Sequence, residues 1–198
     1  MKRIIYADNN ATTKVSPEVL QEMLPYFSEL YGNPSSAHSF GGQIAKKLNN
    51  AKERIAALIG AESINEIIIT SCGTESDNAA INAALLSNPS KKHIITTKVE
   101  HPAVLNYCKH LEKNGYAVTY LSVDSNGCLD LNELSNSITE NTAIISVMWA
   151  NNETGVIFPV EKIGEIAGSK GVIFHTDAVQ AAGKIKMLKN FEIILKLI

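Results

Sequence analysis

From residue 66 onward, short β-branched runs alternate with helix-length stretches, and this alternation limits the fold more than any other feature of the sequence. The runs at 66–70, 93–97, 117–123, 143–149 and 172–174 are short, bounded by polar or glycine-containing segments, and rich in isoleucine, valine and threonine. Helical stretches are predicted between them at 75–86, 102–113, 131–138 and 160–167. Strands recurring roughly every 20 to 30 residues with intervening helices predict a parallel sheet with right-handed crossovers, because parallel neighbours cannot be joined by a tight turn. Upstream, Ser16-Pro17-Glu18 marks a helix start, and the breaker cluster Gly32-Asn33-Pro34-Ser35-Ser36 ends that helix near Tyr31. A second helix is predicted over 43–59, with Ile44, Leu48, Ala51, Ile55 and Leu58 on one face and Gly60 as its stop. No repeat, low-complexity tract or linker intervenes. Residues 1–186 therefore read as one α/β domain, followed by a divergent apolar tail at 187–198.

A net charge of −2 gives no electrostatic reason to expect nucleic acid or an acidic membrane as partner. No apolar run reaches membrane-spanning length, and the opening Met1-Lys2-Arg3-Ile4-Ile5-Tyr6-Ala7-Asp8 turns polar too early for a signal peptide. Cys72, Cys108 and Cys128 are odd in number, widely spaced and form no CxxC pair, which fits a reduced, cytoplasmic setting. The sequons at Asn10 and Asn152 carry no weight in such a protein.

In open α/β sheets, ligands bind beyond the carboxyl ends of the strands, and in this sequence several strands end in polar clusters. After the run at 66–70 comes Ser71-Cys72-Gly73-Thr74-Glu75-Ser76, directly before a helix. A glycine for close approach, a helix N-terminus and the Thr74 hydroxyl suit a phosphate, although the same residues also make a plain helix cap. Neither GxGxxG nor GxxxxGK[ST] occurs, which argues against dinucleotides and P-loop nucleotides. Glu100-His101-Pro102 places His101 at the sheet rim, where an imidazole can stack on a planar ligand or transfer a proton; a solvated loop histidine is the alternative. Asn151-Asn152-Glu153 follows the fourth strand, and His175-Thr176-Asp177 with Gln180 comes where the fifth should end. A phosphate cradle, a stacking ring, amides and a carboxylate are what pyridoxal 5'-phosphate requires, its pyridine nitrogen needing an acid beside it. On spacing alone, other phosphate-bearing ligands stay open.

At these residues the sequence resembles the cysteine desulfurases of the nitrogen-fixation and iron–sulfur-cluster type, within the class V aminotransferases. The matching blocks are Asp8-Asn9-Asn10-Ala11-Thr12-Thr13, Gly32 to Ser36, Thr70 to Ser76, Glu100-His101-Pro102-Ala103-Val104, Val147 to Gly155, and His175 to Gln180. They run in order to about residue 186. The resemblance implies an aspartate-aminotransferase-like large domain (pyridoxal-phosphate fold type I), mainly a parallel sheet with helices on both faces. It implies that Gly73 and Thr74 hold the cofactor phosphate and that His101 stacks on the ring as a catalytic proton carrier. Asn152 and Gln180 would contact the ring substituents, and Asp177 would pair with the pyridine nitrogen. The implied reaction takes sulfur from L-cysteine, leaving alanine and an enzyme persulfide, and passes it to iron–sulfur scaffold or sulfur-carrier proteins. The family forms homodimers.

The sequence also departs from the family. The Ser-x-Ser-Gly-His-Lys segment with the Schiff-base lysine, the persulfide cysteine and the substrate-carboxylate arginine are all missing, and no cysteine present matches the persulfide position. The chain thus reads as a truncated amino-terminal part, without the small domain and inactive as it stands. The resemblance places two further strands between the Asp177 strand and the run at 66–70. The apolar stretch at 192–198 is expected to replace part of them. Two other functions remain: a non-catalytic remnant associating with a full-length homologue, and a metal-dependent hydrolase using His101, His175 and Asp177.

Overall fold

A computed structural model describes residues 4–186 and the backbone of residues 193–196. The chain divides into two compact units, Met1–Ile68 and Ile69–Ile198.

The first unit is helical. Helix α1 (Pro17–Met23) is capped by the Ser16 hydroxyl, which accepts from the Val19 N–H. The single helix expected up to Tyr31 is divided, because Pro25 has no N–H to donate and opens a separate turn, α2 (Pro25–Ser28). Leu24 between them keeps right-handed helical angles, so hydrogen bonding is interrupted while the chain's course continues. Helix α3 (Ser39–Ile59) begins earlier than its apolar period suggests, since His38 Nδ1 accepts from the Gly41 N–H and caps it. It stops at Gly60, whose φ of 76° is left-handed.

The expected strand at 66–70 does not form. Ile64–Glu66 is a 3-10 turn closed by a reciprocal cap, in which the Ser63 hydroxyl accepts from Asn65 N–H and the Glu66 carboxylate from Ser63 N–H. Residues 67–70 carry no strand pairing, and Ile68 is 79% exposed. A β-branched run favours extended backbone, but without a neighbouring strand it has no ladder to join.

The second unit contains the sheet. In chain order it holds α4 (Gly73–Ser87), β1 (His93–Thr97), α5 (Pro102–Lys113), β2 (Ala117–Leu121), α6 (Leu131–Ser137), β3 (Thr142–Ser146), α7 (Val160–Ser169), β4 (Ile173–Asp177) and β5 (Ile193–Lys196). The sheet order is β2-β1-β3-β4-β5 and every pairing is parallel, as the alternation predicted. All strand carboxyl ends therefore lie along one edge. β1 and β3 are buried at every position, in keeping with central parallel strands. Ile81, Ala84 and Leu85 of α4 pack with Val104, Cys108 and Leu111 of α5 on Ile94 and Ile144 of the sheet.

Three strand ends differ from expectation. β2 stops at Leu121 rather than Val123, which lies in an isolated bridge with Leu129. β3 closes at Ser146 rather than near Trp149, because the chain beyond it turns to pair Ala150 with Ile157 in an isolated bridge. β4 continues through His175 and Thr176 to Asp177, where the expected strand stopped at Phe174. The extension follows from β5, which pairs with Phe174 to Asp177. The expected replacement strand at 192–198 is thus present over residues 193–196; the side chains of the tail lie outside the described residues. Among the described residues no helix is long and apolar enough to cross a membrane.

Candidate active site

The chain leaves each strand at the carboxyl edge of the sheet, and hydrogen bonds tie the exits of β1, β3 and β4 together. The Trp149 N–H donates to the Asp177 carbonyl at 2.9 Å, joining the exits of β3 and β4. The buried Glu100 carboxyl accepts from the Met148 N–H at 3.1 Å on each oxygen, joining the exits of β1 and β3. Asn151 Nδ2 donates to the Val99 carbonyl at 3.0 Å across the same gap.

Gly73 and Thr74 form the first turn of α4, a 15-residue helix whose N-cap, Cys72, makes no side-chain capping hydrogen bond. The first N–H groups of a helix carry partial positive charge and attract anions. Thr74 is exposed and Gly73 half-buried. Thr74 lines an open depression of about 330 Å³ with Asn78 of α4 and with His101, Ala103 and Tyr107 at the start of α5.

His101 is the N-cap of α5, its Nδ1 accepting from the Ala103 N–H at 3.1 Å. That bond fixes Nδ1 as an acceptor, so in the neutral ring the proton sits on Nε2. The ring is therefore held by the helix it begins and still exposed.

Asp177 ends β4 with 8% exposure, and its Oδ1 accepts from the Val179 N–H at 3.0 Å. Burial pushes its carboxyl above the usual range, and the charge of Asp77 adds to this. The Val179 N–H, His175 and His101 pull the other way. Among the described residues Asp177 has no ion-pair partner. Behind it, His175 shares a 2.8 Å hydrogen bond with Ser146 through Nδ1, and its Nε2 lies 3.5 Å from Asp77. That ring is fully buried. Among the described residues the buried Thr176 hydroxyl has no hydrogen-bond partner.

Asn152 and Gln180 lie on the loops after β3 and β4, and each is held within its own loop. Asn152 Nδ2 donates to Glu153 at 2.7 Å, and Gln180 Oε1 accepts from Lys184 at 2.6 Å. The structure thus brings Thr74 and His101 into one depression and sets Asp177 within electrostatic reach of His101. The two amides stand on adjoining loops. Asp77, Glu100 and Asn151 were not singled out in the sequence, although a glutamate at a strand end beside a histidine was a usable signal.

Residues 5–193 match the family model described as Aminotransferase class-V. The chain belongs to that family. A cysteine desulfurase of Nostoc sp. is 61% identical over 184 residues, which cover 93% of this chain and 46% of the relative. A solved structure described as a NifS-like protein superposes with a TM-score of 0.89 at 43% identity, over 94% of this chain and 52% of that one. Another, SspA in complex with cysteine, gives 0.88 at 37% identity, over 92% and 52%. The chain spans about half the length of the curated relatives it matches. Its parallel sheet and packed helices are those of NifS-like class-V aminotransferases, pyridoxal-phosphate fold type I.

Proposed function

We propose that this class-V aminotransferase chain is the amino-terminal, cofactor-binding part of a cysteine desulfurase and that its strand-end crevice holds pyridoxal 5'-phosphate. The observation that carries the reading is Asp177: a nearly buried acid with no ion-pair partner among the described residues, on the edge where α4 presents an N-terminus without a side-chain cap. A buried carboxylate without a cation is costly unless a donor arrives to pair with it. A protonated heterocyclic nitrogen is such a donor, and the phosphate at the ligand's other end suits the helix N-terminus. The residues present fit the group.

The cofactor, when bound, supplies an electron-withdrawing ring that weakens bonds at an amino acid's α-carbon. Gly73 and Thr74 would hold its phosphate through backbone N–H groups and the Thr74 hydroxyl. Asp177, as a carboxylate, would pair with the protonated ring nitrogen, a cation that would offset the burial now raising its pKa. His101 would stack on the ring and could hold or move a proton at Nε2, since its Nδ1 is engaged by the Ala103 N–H. Asn152 and Gln180 would contact ring substituents, Gln180 the phenolic oxygen. In the complete enzyme the substrate is L-cysteine, the products are alanine and a persulfide, and the sulfur goes on to iron–sulfur scaffold or sulfur-carrier proteins. SspA, one of the similar structures, is described in complex with cysteine. We further infer that residues 1–186 belong to the large domain, that the complete enzyme is a homodimer, and that it works in the cytoplasm, where its three free thiols stay reduced.

The sequence holds no lysine in the family's motif, so binding should be reversible. Emission from Trp149, the single tryptophan, reports a titration with the cofactor. Saturable binding that dialysis reverses is expected, with pyridoxal lacking the phosphate at least about tenfold weaker. No binding, or equal affinity for pyridoxal, overturns the reading.

A further inference from the structure

We propose that Glu100 is a positioning residue of this site, forming with Asn151 a buried latch that ties the exit of β1 to the exit of β3 and so sets where His101 and Asn152 stand. The latch is a property of the chain's own side chains; its consequence for ligand binding rests on the cofactor reading.

Glu100 is 5% exposed, and both its oxygens are engaged. The Thr97 hydroxyl donates to Oε1 at 2.7 Å, and the Met148 N–H is shared between Oε1 and Oε2 at 3.1 Å each. The Thr97 hydroxyl also accepts from the Val99 N–H at 3.3 Å, which turns the β1 exit back on itself. Asn151, 7% exposed, makes the second crossing through Nδ2 to the Val99 carbonyl. Its Oδ1 accepts from the N–H groups of Glu153 and Thr154 at 2.9 Å each and from the Thr154 hydroxyl at 3.1 Å, fixing the turn that carries Asn152. His101 is the next residue after Glu100, and its ring is held by the Ala103 N–H. Two loops that would otherwise move independently therefore share one buried junction, and a candidate site residue stands at each side of it.

A carboxyl is suited to this junction because two oxygens reach one N–H and one hydroxyl together. Burial pushes its pKa up to about 8, and the charges of Asp177 on β4 and Asp77 on α4 add to the rise, while the bonds from Thr97 and Met148 oppose it. From α5, Cys108 is also within electrostatic reach. A raised acid stabilises the fold most below its ordinary value of 4.5, and that contribution is lost as pH climbs to about 8. Glutamine keeps the shape and carries no charge at any pH, its Oε1 able to accept from both the Thr97 hydroxyl and the Met148 N–H as the Glu100 Oε1 does.

The test uses the 198-residue protein with E100A, E100Q, T97V and N151D. N151D keeps the acceptor for the turn and loses the donor to Val99. Three readings are taken: amide exchange at Ala103, the His101 ring resonance, and affinity for pyridoxal 5'-phosphate from Trp149 emission. E100A is expected to speed Ala103 exchange and weaken the cofactor by about tenfold each. E100Q is expected to stay within about twofold of wild type and to lose the fall in stability from acid to pH 8. Unchanged exchange, resonance and affinity in a folded E100A overturn the latch, as does E100Q being as defective as E100A. If E100A does not fold, T97V and N151D decide: a shifted His101 resonance in either supports the latch, and none in both overturns it. A wild-type protein that ignores the cofactor sinks the cofactor reading alone, because exchange and resonance still report on the latch.

Discussion

The thiol of Cys72 stands exposed at the start of α4, and the Glu75 N–H, the Ser71 hydroxyl and the Thr74 N–H hold it below the usual thiol range. Cys108 sits in the core between α5 and the sheet, where burial, followed by the charges of Glu100 and Glu112, pushes it up to about 12. Thiolate is the reactive form, so near neutral pH an aromatic disulfide reagent should label Cys72 at least about tenfold faster than Cys108. Peptide mapping of the labelled, still-folded protein checks this, and equal labelling would contradict the assigned environments. The same logic separates what could be read residue by residue from what could not. Asp177 was legible because an acid after an apolar run has few places to go. Asp77 and Glu100 were not, because a charged residue in a sequence reads as solvent-facing, and only the fold shows these two buried and within electrostatic reach of Asp177.

Gly41 shows a tertiary constraint outweighing helix propensity. It lies in α3, where alanine would normally be favoured by about 1 kcal/mol. A Cβ there would stand 2.5 Å from the Asn33 carbonyl oxygen and 2.8 Å from Ser36, both in the turn before the helix. Gly41→Ala should therefore lower the melting temperature, whereas Gly42→Ala, with nothing within 4 Å of its Cβ, should raise it or leave it unchanged. Thermal melts of the two variants decide, and a stabilised Gly41→Ala would contradict the close approach. The central elements were legible because composition and environment agree there: β1 was expected over 93–97 and α5 over 102–113, and both are found so. The run at 66–70 has equally good strand composition and forms none, since pairing is decided by neighbours far off in sequence. Pro25 was a visible break that the expected helix passed over.

The two units differ in how much each buries. Among the described residues of the first, only Gly41, Ala56 and Ile67 are buried, whereas the second has a continuous core. The chain spans about half the length of its curated relatives, and on the proposed reading its site would hold the cofactor with no lysine of the family's motif among its 198 residues. Purified protein supplied with pyridoxal 5'-phosphate and L-cysteine should accordingly release no sulfide or alanine above a cofactor-only control. Release above that control would show that another side chain replaces the lysine. The central claim, that three strand exits and the start of α4 converge on one cofactor, is tested most directly by a crystal structure of the protein soaked with pyridoxal 5'-phosphate. The account predicts the phosphate within about 2.7–3.2 Å of the Gly73 or Thr74 N–H, the ring against His101, and the pyridine nitrogen at the same separation from the Asp177 carboxylate. A cofactor bound elsewhere, or turned with its nitrogen away from Asp177, would contradict it.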